Sequence, residues 1–272
     1  MHCSTEDYRG RHFVRLLIGM SIALAVLAIG LWLVRRGQDS DRLETSREHF
    51  RSVAGSLLSW SKFRGRLPYP VYRTSPVPAP IEVDSAVKSK RPLYSWRVAL
   101  TVQLEAWRGR MDWNLPWDDP ANVQLSDFSS FFCDDALAPK DSLHPFPETG
   151  ILAITGPGTA FGDGSEDPVP LRGIPPQTIL CAETRASGIP WPAPGDFDVR
   201  DMPHTINAPN GKGISGRYKG GFHVIFADAE VWFLSDGVPF DTLSRFFTVA
   251  DAAKHNRDKL LKPFVLWGPG QY

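Results

Sequence analysis

The chain lacks a surplus of either charge, any pair of neighbouring histidines, and any familiar nucleophile or phosphate motif. Lys+Arg and Asp+Glu each number 30 among 272 residues, so the net charge is zero. A neutral chain without a basic cluster interleaved with aromatics has little to offer a phosphate backbone, and no nucleic-acid partner is expected. The seven His residues are scattered, and His144, His204 and His223 do not fall at metal-ligand spacing. Gly-x-Ser-x-Gly is absent, which removes the hydrolase elbow. GPGTAFGDG (156–164) is Gly-rich but lacks the Lys-Ser/Thr ending of a phosphate loop, so it reads as a structural turn. On these grounds the expectation is no enzyme, no cofactor and no metal.

Cysteine is also scarce, with three in all. Cys3 precedes the apolar N-terminal run. Cys133 and Cys181 lie far downstream and could form a single bridge, provided the compartment is oxidising and the fold brings them together.

What is plentiful is Pro (24), Gly (23) and Trp (9). These argue for many turns and ordered loops pinned by large aromatic side chains, not for a helical bundle. Trp117 and Trp191 stand in such Pro-rich loops and are candidates for contact with a ligand or partner. The competing reading is a Trp that pins its loop onto the core.

Residues 16–34, LLIGMSIALAVLAIGLWLV, carry no charge. As a helix they rise roughly 28 Å, the thickness of a bilayer's hydrocarbon core. Arg15 bounds one side and Arg35-Arg36 the other. Ala28 and Gly30 are spaced as in a cleavable signal, but the apolar run continues past them to Val34, which favours an uncleaved anchor. Basic residues flank both ends, so the positive-inside rule alone does not orient it.

Beyond the span, Leu43, Phe50, Val53, Leu57, Leu58 and Trp60 recur at helical spacing, and Gly65 with Pro68 ends the pattern. Residues 68–92 are Pro-rich and aperiodic, a connector. Trp96, Leu100, Leu104 and Trp107 give 93–111 an amphipathic stripe. ILAIT (151–155), TILCAE (178–183) and the segment from Phe222 to Gly237 read as strands of one antiparallel sheet. FDTLSRFFTVAD (240–251) reads as a short helix. The resulting map is 1–15 N-terminus, 16–34 membrane helix, 35–67 stalk helix, 68–92 connector, 93–253 head, and 254–272 tail.

FHVIFADAEVWFLSDG (222–237) places Asp228 and Glu230 in the middle of an apolar run. ADAE reads as the turn of a hairpin, since Asp can bond nearby backbone N–H groups. Ala229 suits a two-residue turn poorly, which points to a type I turn with a bulge, or to strain. No base or nucleophile can be placed beside the pair, so a catalytic dyad is not expected.

In order and spacing, several stretches resemble a large planctomycete family of unknown function, described as type II secretion protein G-like and also labelled solute-binding-like. They are EHFRSVAGSLLSWSKFRGRLP, YSWRVALTVQLE, PWDDPAN, FFC, AITGPGTAFGDG, TILCAE, IPWPAPGDF and GGFHVIFADAEVWFLSD. The resemblance runs from about Glu48 to Ala253. It implies an α+β, pilin-like fold in which an N-terminal transmembrane helix extends into a helix packed on an antiparallel sheet. It also implies a head outside the cytoplasm, anchored in the inner membrane. The chain departs from the family at its start: the nearest Gly is Gly10, and Arg15 stands where the family's acidic residue opens the apolar helix. Prepilin cleavage and fibre assembly are therefore not expected. The function implied is a membrane-anchored pseudopilin-like structural or interaction protein with an unidentified protein or glycan partner. The alternative is an anchored module binding a saccharide or small solute.

Overall fold

A computed structural model of the chain describes residues 27, 29–30, 41–73, 92–101, 112–122, 146–165, 167–209 and 212–268. The chain divides into two compact units, Met1–Ser46 and Arg47–Tyr272. In the first, residues 27, 29, 30 and 41–46 are helical.

The second unit opens with helix α1, residues 47–64. Phe50, Val53, Ala54, Leu57, Trp60 and Ser61 all lie within its buried face, an i, i+3, i+4, i+7 series that makes one stripe. Gly65, at φ 76°, ends the helix, and its N–H donates to the Ser61 carbonyl at 2.8 Å. A two-residue strand β1 (Val71–Tyr72) pairs antiparallel with β2 (Tyr94–Ser95), which leads directly into α2 (Trp96–Thr101). Every residue of α2 is buried.

Six strands form the main sheet: β3 (Ile151–Thr155), β4 (Ile179–Glu183), β5 (Phe197–Asp198), β6 (Gly221–Phe226), β7 (Val231–Ser235) and β8 (Val265–Trp267). Their order is β5-β3-β4-β6-β7-β8. Alternation along β6 assigns its two faces. Phe222, Val224 and Phe226 join Leu152, Ile154, Trp232, Leu234 and the C-terminal Leu243, Phe246, Phe247 and Leu261 in one buried cluster. On the other face His223 meets Phe50 of α1. The sheet is therefore covered on both sides, and β3, β4 and β6 are buried along their whole length. Their near-continuous apolar sequences are what two covered faces require.

The expected pilin-like α+β fold, with a transmembrane helix running into a helix on an antiparallel sheet, does not hold. The architecture is mixed α/β. β5 runs parallel to β3, with Ile154 opposite Phe197 and Thr155 opposite Asp198. The chain enters β5 from β4, its antiparallel predecessor, by way of residues 184–196, a crossover past β3 held in place by the Trp191 and Asp196 contacts described below. Among the described residues, no helix is long and apolar enough to cross a membrane. Apart from Leu27, Ile29 and Gly30, the 16–34 segment lies outside them, as do residues 74–91 of the 68–92 connector and residues 102–111 of the second expected helix.

The C-terminal region also differs from the sequence reading. Residues 240–251 are broken into α3 (Phe240–Leu243), a 3-10 turn (Ser244–Phe246) and α4 (Val249–Ala252). Residues past 254 are built into the fold as α5 (Arg257–Leu261) and the edge strand β8. Trp267 of β8 lies under α1, with the guanidinium carbons of Arg47 and Arg51 at 4.8 and 4.5 Å from its ring centroid.

Candidate functional site

The acidic pair sits at the tip of the β6–β7 hairpin. The Ala229 N–H donates to the Phe226 carbonyl at 2.9 Å, and the Phe226 N–H donates to the Glu230 carbonyl at 2.9 Å. Ala229 takes φ 68°. This is a type I turn followed by a left-handed bulge residue, one of the two outcomes the sequence allows, and it places a Cβ where glycine is usual. Asp228 Oδ1 accepts the Glu230 N–H at 3.0 Å, the local bond expected of a turn Asp.

The two carboxylates converge on a partner that the sequence does not reveal. Arg257, the first residue of α5, donates through Nη1 to Asp228 Oδ2 at 2.9 Å and pairs through Nη2 with Glu230 Oε2 at 2.7 Å. Its guanidinium carbon lies 4.6 Å from the Phe226 ring centroid and 4.7 Å from that of Trp232. Trp232 Nε1 donates to the same Glu230 oxygen at 3.0 Å. Two aromatic rings and two carboxylates of one hairpin thus enclose a single arginine, whose side chain is 13% exposed. Carboxylates held this way serve as anchors for a cation, which is poor preparation for accepting a proton from a substrate.

A second charged centre lies between α2 and the crossover. Arg97, fully buried, donates from Nε to the Trp191 carbonyl at 2.8 Å and from Nη2 to the carbonyls of Ala193 and Gly195 at 2.9 and 3.1 Å. Its Nη1 pairs with Asp196 Oδ1 at 2.9 Å. The same oxygen accepts Trp96 Nε1–H at 2.9 Å and the Ala153 N–H at 2.8 Å. Burial pushes the Asp196 carboxyl up, while Arg97 and these donors pull it down. Arg97 thereby fastens the loop that brings β5 alongside β3.

The third centre is Glu183, the last residue of β4. Its Oε2 accepts the His223 N–H at 2.8 Å and sits 2.7 Å from His223 Nδ1; Oε1 accepts the Arg217 N–H at 2.9 Å. Glu183 and His223 are 2% and 0% exposed, and the imidazole lies between Phe50 and Phe233, with centroids 4.7 and 4.6 Å away. A carboxylate that accepts two backbone N–H groups fixes the start of β6 against the end of β4.

The remaining sequence candidates are dispersed. Trp191, in the loop that Arg97 fastens, is fully buried, so its ring offers no face to a sugar. Trp117 is half-buried and meets Phe146 edge-on at 5.8 Å. Its loop is organised by buried Asn122, whose Nδ2 donates to the carbonyls of Asp112 and Pro116 at 3.1 Å each. Cys181 is a free thiol, buried within the sheet, and burial pushes its ionisation up. Cys133 lies outside the described residues. Among the described residues, no group of three or more His, Cys, Asp or Glu side chains could hold a metal ion.

Arg97 and Glu183 belong to stretches the sequence singles out, but their partnership with Asp196 and His223 is not legible there. Arg257 has no sequence signal at all. Compared with protein-family models, curated proteins and solved structures, the chain matches none.

Proposed function

We propose that this is a non-enzymatic structural or interaction protein, held at a membrane by residues 16–34, with the unit that begins at Arg47 exposed outside the cytoplasm. The observation that carries the non-enzymatic part is the closure of the charged centres. Asp228 and Glu230 hold Arg257, Arg97 holds the crossover, and Glu183 holds His223 and the Arg217 backbone. In these three centres the charged groups serve the fold by binding another part of the chain. The anchoring part rests on the uncharged run 16–34 alone.

The test is fractionation of the full chain in intact cells, followed by protease treatment from the outer side. The expected result is full-length protein in the membrane pellet, with the second unit digested from outside. Recovery in the soluble fraction with an N-terminus beyond Gly30 overturns the anchor. Protection of the second unit until the membrane is breached overturns its placement.

A further inference from the structure

We propose that residues 257–268 form an exchangeable strap, and that the hairpin tip and the β7 edge which receive it also receive the strap of a second copy of this chain. The receiving site is complete without the strap. Phe226, Asp228, Glu230 and Trp232, which enclose Arg257, all come from the β6–β7 hairpin. β8 is an edge strand that pairs only with β7, with Leu234 opposite Val265. Withdrawing the strap therefore opens an edge without splitting the sheet, and a strap from another copy restores every contact, including burial of Leu261. Exchange of identical elements needs no new interface.

The segment that leads into the strap has two conformations open to it. VADAAKHNRDKLL (249–261) contains neither Gly nor Pro and is rich in good helix formers. In the structure it is nevertheless broken into α4 and α5 by residues 253–256. The break is maintained from outside the segment and by a cap. Gln177 Nε2 donates to the Ala252 and His255 carbonyls at 2.8 and 3.3 Å, Asn256 Oδ1 accepts the Lys259 N–H, and Arg257 is held in the hairpin. Straightened, 249–261 becomes a single helix roughly 20 Å long that carries the strap off its own sheet. Thr248 already caps its start, with the side-chain oxygen accepting the Asp251 N–H, and Pro263 ends it. The result is a reciprocal two-fold dimer in which each hairpin holds the partner's Arg257.

The test uses the full chain in detergent with Cys3→Ser and Cys133→Ser, adding Leu234→Cys and Val265→Cys across the β7–β8 pair. After oxidation, non-reducing electrophoresis separates a bridge within one chain from a bridge between two. The expected result is a dimer band whose share rises with protein concentration before oxidation. Adding Lys254→Gly and His255→Gly, which disfavour the continuous helix, lowers that share at least about tenfold. Bridges within single chains alone, at every concentration, overturn the proposal. So does a dimer band that the glycines leave unchanged, because the exchange is then not driven by straightening. Thermal melts of the glycine variant confirm that the closed fold persists.

Discussion

Phe50 of α1 stacks on His223 of β6, with centroids 4.7 Å apart and 24° between the planes. The imidazole is held in that plane by Glu183 at 2.7 Å. Helix docking and strand pairing therefore share one side chain. Phe50→Ala removes the stack and leaves a void above a buried polar ring, at an expected cost of about 3–5 kcal/mol. Glu183→Gln keeps the shape but turns an amide N–H₂ toward a backbone N–H, at an expected cost of about 1–3 kcal/mol. Denaturant melts measure both. Because the two changes act through His223, their effects in the double variant should not add.

Arg257→Leu retains part of the packing against Phe226 and Trp232 and leaves Asp228 and Glu230 facing each other without a cation. The expected loss is about 1–3 kcal/mol, moderated by solvent at the hairpin tip. In the background Asp228→Asn/Glu230→Gln, Arg257→Leu should cost markedly less. Equal costs in the two backgrounds, in urea titrations, would show that the ion pairs contribute nothing beyond the stacking.

Ala229 holds a left-handed conformation at φ 68°. Ala229→Gly relieves that strain while adding freedom to the unfolded chain, for a net expected gain of about 0.5–1 kcal/mol. A melting temperature unchanged or lowered by this substitution contradicts the turn assignment.

Tyr72 and Tyr94 are buried, and burial above all pushes their hydroxyls up. Tyr94 donates to the Asp112 carbonyl at 2.8 Å, a bond that only the neutral phenol can make. In the unfolded chain both ionise near pH 10. The folded state thus holds protons that the unfolded state releases, and stability is full below about pH 10 and falls as pH rises beyond it. The slope should approach about 1.4 kcal/mol per pH unit for each tyrosine. Tyr72→Phe, scanned by alkaline titration of tryptophan fluorescence, should reduce the slope. A flat profile through that range would show the phenols to be solvated.

The sequence by itself determined the elements whose periodicity is local. The α1 stripe from Phe50 to Trp60, the β6–β7 hairpin with its Asp228 turn, and strands β3 and β4 could each be read from spacing and punctuation, because a buried face imposes its period on neighbouring residues. Only the tertiary structure decided which distant residues meet. The parallel placement of β5 depends on Arg97 reaching the carbonyls of Trp191, Ala193 and Gly195, and no local pattern encodes a guanidinium that binds backbone so far along the chain. The break at 253–256 likewise depends on Gln177 reaching the Ala252 and His255 carbonyls, and the edge strand β8 on the β7 edge that receives it. Asp228 and Glu230 could be recognised as turn residues from the sequence, but what they hold could not. Arg257 becomes their partner only when α5 folds back across the hairpin, and its neighbours in sequence, Asn256 and Asp258, give no sign of it.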